Sequence, residues 1–276
     1  MIKKCNQSQE LRLTFVKRLS FSIFVSLIVA LAFPAIAAPQ KHAHATVELI
    51  SDVDSIQPGQ PFKLGLHFKI DKEWHLYWRN PGDSGLEPMV NWILPDEFTV
   101  SEFNWPAPKR KTDKDHTNYI YEKSLLLTVN VTPPDALEIG QNVTIKAELD
   151  YLICRFSCVP GSGNLSLTLP VSSNKANKSN KKPLFIASEK MVPKTSKSIS
   201  ASAVYEDEQL QLNVMVDSSQ TDLEILDFLP ITKMVIENSA PFMFTKISLL
   251  KQSATFLLYP HRPGLPDTLV GVLVTN

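Results

Sequence analysis

Residues 143–158 read VTIKAELDYLICRFSC. Val143, Ile145, Ala147, Leu149 and Tyr151 alternate with Thr144, Lys146, Glu148 and Asp150. Successive side chains of an extended chain point to opposite faces, so this period of two marks a strand with one apolar and one wet face. The pattern recurs on either side. Phe62, Leu64, Leu66, Phe68 and Ile70 alternate with Lys63, Gly65, His67 and Lys69, and Leu165, Leu167, Leu169 and Val171 follow the cysteine-bearing stretch. Shorter strands are expected at 47–50, 90–94, 98–103 and 125–131, with Pro and Gly clusters at 58–59, 80–82, 133–134 and 160–161 as turns. Strands at this spacing, without a long helical pattern between them, predict an all-β fold built as an antiparallel β-sandwich over residues 38–171.

Residues 172–182, SSNKANKSNKK, are polar and aperiodic and open an expected linker over 172–197. Strand patterns resume at 198–205, 210–216, 233–237, 242–250, 254–259 and 269–274. They predict a second, smaller β-sandwich over 198–276, two domains in tandem being favoured over one sandwich with a long loop. The apolar run 271–274 stands directly before Thr275 and Asn276, which raises the expectation of a longer parent chain or a natural truncation.

The first 37 residues carry a secretory pattern. Lys3, Lys4, Arg12, Lys17 and Arg18 precede an apolar core at 19–33, and Ala35-Ile36-Ala37 offers small-x-small cleavage. A retained anchor is the alternative, but the apolar run is short for a span. The whole chain has 28 basic and 28 acidic residues; loss of residues 1–37 leaves 23 against 27, a net charge of −4. A mildly acidic chain without a basic stripe has no electrostatic footprint for nucleic acid. No Gly-rich phosphate loop follows a strand, and Asp83 and Ser84 with His75 form no ordered hydrolase triad.

Export would remove Cys5 and leave Cys154 and Cys158. In an oxidising compartment such a pair is a staple, a redox couple or a metal site. In one straight strand their Cα atoms would lie about 13 Å apart, so bonding requires a turn at Arg155-Phe156-Ser157. A loop of about five residues gives a disulfide only ~2 kcal/mol of chain-entropy stabilisation, against ~4.7 for about a hundred, so a staple here would stabilise little. The alternation carried to its end puts Cys154 on the solvent side with Asp150 and Glu148, open to exchange. His42, His44, His67, His75, His116 and His261 show no ligand spacing with the pair. Spacing alone leaves all three uses open, with exchange favoured. Trp74, Tyr77, Trp78, Trp92 and Trp105 are expected mostly in cores, with a lid over the cysteines as the functional alternative.

Four segments in order, WHLYWRNPGDSG (74–85), WPAP (105–108), NYIYE (118–122) and YLICRFSCVPG (151–161), together resemble the N-terminal periplasmic domain of DsbD-type thiol:disulfide interchange proteins, especially the copper-sensitivity-suppressor (ScsB-like) branch. The resemblance implies two tandem immunoglobulin-like domains and a redox pair, Cys154 and Cys158, with Cys158 expected to bond the partner. It implies a protein-disulfide reductase component with no cofactor beyond the cysteines. Its expected partners are periplasmic thioredoxin-fold proteins and a separate membrane electron donor, because the family's membrane segment and thioredoxin-like domain have no counterpart in this sequence. Ile120 departs from the family pattern, where a glycine is expected between the tyrosines. The rival from another class is an immunoglobulin-like adaptor for an envelope or copper-stress partner, its disulfide purely structural.

Overall fold

A computed structural model describes residues 40–260 and 264–276. The expected signal segment, Cys5 and His261 lie outside the described residues. In chain order the first strands are β1 (Gln40–His42), β2 (Ala45–Ser51), β3 (Phe62–Ile70), β4 (His75–Gly82), β5 (Met89–Ile93), β6 (Thr99–Val100), β7 (Lys109–Asp113), β8 (His116–Glu122), β9 (Ser124–Thr132), β10 (Asn142–Cys154) and β11 (Cys158–Pro170). Helix α1 (Lys182–Met191) follows. Then come β12 (Ile199–Glu206), β13 (Gln209–Val216), β14 (Ile225–Pro230), β15 (Thr245–Ser248), β16 (Lys251–Leu257) and β17 (Gly271–Thr275).

Two antiparallel sheets face each other. One has the order β1-β2-β3-β9-β6; the other runs β11-β10-β4-β8-β7, with β5 also paired to β10. The inward residues of the alternating strands meet between them, as the sequence pattern requires. Leu49, Leu66, Phe68 and Leu127 pack with Trp78, Tyr119, Leu149 and Tyr151. At the other end Phe62, Leu64, Val129 and Val131 pack with Val143, Ile145 and Leu169. This is the all-β, immunoglobulin-like sandwich expected.

The C-terminal strands form a four-stranded sheet, β12-β13-β16-β15, and the two-stranded ribbon β14-β17. The ribbon is apolar on both faces. Ile225, Phe228 and Leu273 join Leu212, Val214 and Phe256 in a C-terminal core, whereas Leu229, Val272 and Val274 pack against the core of the first sandwich. The apolar run at 271–274 is therefore a strand held between two cores.

Besides the turn expected at 160–161, which lies inside β11 with Pro160 opposite Leu152 and Gly161 opposite Tyr151, three local expectations are corrected. The stretch read as a linker contains α1, whose Pro183 suits the first turn. Its Phe185, 2% exposed, packs with Ile50 and Leu126 on the outer face of the first sheet, while Ser188 Oγ donates to Leu126 O at 2.9 Å. Lys181, just before it, and Lys182, its first residue, bind Glu48 (2.8 Å) and Asp52 (2.6 Å), which share that sheet face. The expected strand at 233–237 is a turn followed by a single bridge from Ile236 to Leu258, with Val235 and Ile236 both buried in the C-terminal core. The third concerns Cys154.

Candidate functional site

Strands β10 and β11 pair along their full length, from Asn142 with Pro170 to Cys154 with Cys158. The required turn is present: Arg155 N donates to Ser157 O at 3.2 Å and reverses the chain within three residues. Cys154 and Cys158 thus become the last cross-strand pair, with Cα atoms 4.1 Å apart, joined by a disulfide. Among the described residues no group of three or more His, Cys, Asp or Glu side chains is placed to hold a metal ion.

The two sulfurs have unlike surroundings. Cys158 is exposed. Cys154 is only 3% exposed, contrary to the expectation from alternation. The strand does keep its period, but the outer face is wet only as far as Asp150. Beyond it, Tyr77 on β4 and Ile120 on β8 close over Cys154, with Leu152 beside them, as a small apolar cluster on the outside of the sheet. Ile120, the departure from the family pattern, supplies part of that cover.

Tyr77 is the polar component of this cluster. Its hydroxyl lies 3.7 Å from Cys158 Sγ, and since a disulfide sulfur carries no proton, the hydroxyl donates. Burial raises the Tyr77 pKa, opposed by the neighbouring Ser84 side chain, so the hydroxyl stays protonated at neutral pH. His75 is the cross-strand neighbour of Cys154 and stacks edge-on to Tyr77 at 5.3 Å. Its Nδ1 is buried without a hydrogen-bond partner. Burial first, then Lys111, pushes the imidazole down to about 4 against the pull of Glu122, so the ring is neutral at pH 7. At the hairpin tip Arg155 pairs with Glu73 and lies 4.8 Å over the ring of Phe156, which is 93% exposed.

Cys158 is therefore the member of the pair that faces solvent. Cys154 is buried with Tyr77 and Ile120.

Residues 45–170 match the family described as thiol:disulfide interchange protein DsbD, N-terminal. This segment is a DsbD-type N-terminal domain. No curated protein matches the chain. Among solved structures, the N-terminal periplasmic domain of ScsB from Proteus mirabilis is similar over 84% of this chain and 88% of its own, with a TM-score of 0.58 at 21% identity, a likeness of fold. The yeast GGA1 GAE domain (TM-score 0.28, 11% identity, 48% of this chain and 96% of that one) and a conserved domain protein from Bacillus anthracis (0.25, 12%, 86% and 76%) were also found.

In the DsbD-type domain both predicted site residues meet at one end of one hairpin. The aromatic residues divide: Trp78 is core, 1% exposed, whereas Tyr77 touches the sulfur. The sequence does not mark Tyr77 out from the neighbouring aromatic residues. The one available signal is that His75 and Tyr77 share a strand parity opposite to that of Leu76 and Trp78, which places them together on the outer face. No helix among the described residues is long and apolar enough to cross a membrane.

Proposed function

We propose that this chain is an exported, periplasmic thiol–disulfide exchange protein that reduces disulfides of thioredoxin-fold partners through Cys154 and Cys158, drawing electrons from a membrane donor. The observation that carries this reading is the asymmetry of the pair, one sulfur open and one covered. In the reduced protein the Cys158 thiolate attacks a sulfur of the partner disulfide, forming a mixed disulfide and releasing the partner's other sulfur as a thiolate. Cys154, as thiolate, then attacks Cys158 Sγ. The mixed disulfide breaks, the partner leaves as a dithiol after taking up protons, and two electrons have passed to it. The Tyr77 hydroxyl supports the first step by donating to the Cys158 sulfur while it carries charge. Residues 38–171 are the redox unit in this reading, joined through 172–197 to a second, smaller β unit at 198–276.

Two measurements test it. The reduction potential should lie above about −300 mV, the region where exchange couples sit; a lower value marks a resistant structural bond and refutes the reading. Cys154→Ser should trap a thioredoxin-fold disulfide protein as a stable adduct on Cys158, and Cys158→Ser should abolish that trapping with the fold intact. Equal trapping by both variants would refute the assigned roles.

A further inference from the structure

Tyr77 is backed by a segment that is itself held from the far end of the chain. Gly85, at φ +102°, lies against the Tyr77 ring so closely that a Cβ there would overlap ring carbons. Gly85 belongs to the connection 83–88 between β4 and β5. Asp83 N donates to Thr117 O at 3.0 Å, and Asp83 Oδ2 accepts from Thr117 N at 2.6 Å. The other carboxylate oxygen, Oδ1, accepts from Asn238 Nδ2 at 2.8 Å across 155 residues of sequence.

Asn238 comes from the C-terminal strands' side and is 8% exposed. Its amide has one orientation compatible with its neighbours, because Oδ1 accepts from the Tyr119 hydroxyl at 3.0 Å and Nδ2 faces a carboxylate. Two further ties run the same way. Lys233 pairs with Glu87 at 2.9 Å, near the other end of the connection, and Asn80 Nδ2 donates to Pro230 O at 2.7 Å just before it.

We propose that Asn238 is a positioning residue for the redox pair: by fixing Asp83 it holds the 83–88 connection against Tyr77 and so keeps the Tyr77 hydroxyl on Cys158 Sγ. The inference rests on the exchange reading above and gives the C-terminal strands a part in it. A hydroxyl stabilises a thiolate only while it is aimed at it. The ring of Tyr77 packs with Cys154 and Ile120 and also lies against Gly85. Loss of the Asn238 bond would leave Asp83 tied to Thr117 alone and loosen the contact at Gly85, and the Cys158 thiolate would lose its donor for part of the time.

The test reads the Cys158 thiol in the reduced full chain, from the pH dependence of its alkylation by iodoacetamide, with each cysteine followed by peptide mapping. Tyr77→Phe should raise the Cys158 pKa and slow alkylation at pH 7 about three- to tenfold, the effect of one hydrogen bond. Asn238→Asp, which sets two carboxylates face to face, should act in the same direction by at least about threefold. Exchanging the roles in Asn238→Asp with Asp83→Asn restores an amide–carboxylate pair at unchanged net charge, and should return the rate to within about twofold of wild type. In a Tyr77→Phe background Asn238→Asp should change the rate by less than about twofold, since the donor is already gone. A full effect in that background, or no recovery in the exchanged pair, would overturn the proposal; Asn238→Ala serves in place of Asn238→Asp if the latter does not fold. A potential below the exchange range would sink the proposed function but leave these alkylation rates readable, so the two failures are distinct.

Discussion

Mild acid should weaken this fold through one imidazole. His75 has a folded pKa of about 4 against 6.5 for a free histidine, with burial as the largest cause. Because the folded value is the lower one, the unfolded chain takes up the proton first. The stability contributed by the neutral ring is therefore complete above pH 6.5 and is lost as pH falls toward 4. At pH 5 the full difference between those values corresponds to about 2 kcal/mol. The ring lies near the sheet's outer surface, where solvent can partly relax around the charge, so about 1–2 kcal/mol is the expected loss. His75→Gln removes the titration and keeps a polar side chain. Urea unfolding of the oxidised protein at pH 7.5 and at pH 5.0 should show wild type losing about 1–2 kcal/mol more than the variant, with little interference from carboxylates, which titrate mainly below pH 5. Equal losses in the two proteins would refute the reasoning, because they would mean that His75 accepts a proton in the folded state without penalty.

Helix α1 should prove a docked element: Phe185→Ala should cost about 3–4 kcal/mol in denaturant unfolding, and a cost below about 1 kcal/mol would show that the helix contributes no packing. Replacing both Cys154 and Cys158 by Ala should cost no more than about 2 kcal/mol, because the bond closes so short a loop; a loss above about 4 kcal/mol would make the pair a staple.

The sequence disclosed most where apolar and polar residues alternate strictly, whether or not the polar face is later covered, as that of β3 is at Gly65 and His67. The alternation at 62–70 and 143–151 became β3 and β10 with the inward residues as read. Two other strands gave no such signal: His75 to Trp78 of β4 are all buried, and β14 carries apolar residues to two cores. Strand β7 was hidden for the opposite reason, being mostly exposed and charged. Only Phe185 and Ser188 of α1 are buried, a stripe too narrow to stand out beside the lysines and asparagines before it. At the site, the two cysteines and their turn were legible because their contact is local. The cover over Cys154 was not, since it comes from Tyr77 and Ile120 on other strands, and the hold of Asn238 on Asp83 spans 155 residues. A one-dimensional pattern reports which face a residue takes, and says nothing of what arrives there from elsewhere.

The bond between Cys154 and Cys158 closes only the tip of a hairpin whose two strands are 13 residues each, and backbone pairing below it does not depend on the sulfurs. Cutting the bond therefore shortens no ladder and shifts no register. Oxidised and reduced forms would offer an incoming protein nearly the same silhouette, so the chain would have little mechanical means of ejecting a spent partner. Turnover would then be governed by mass action and by the relative potentials of donor and acceptor, with the hairpin serving as an unmoving wire terminal.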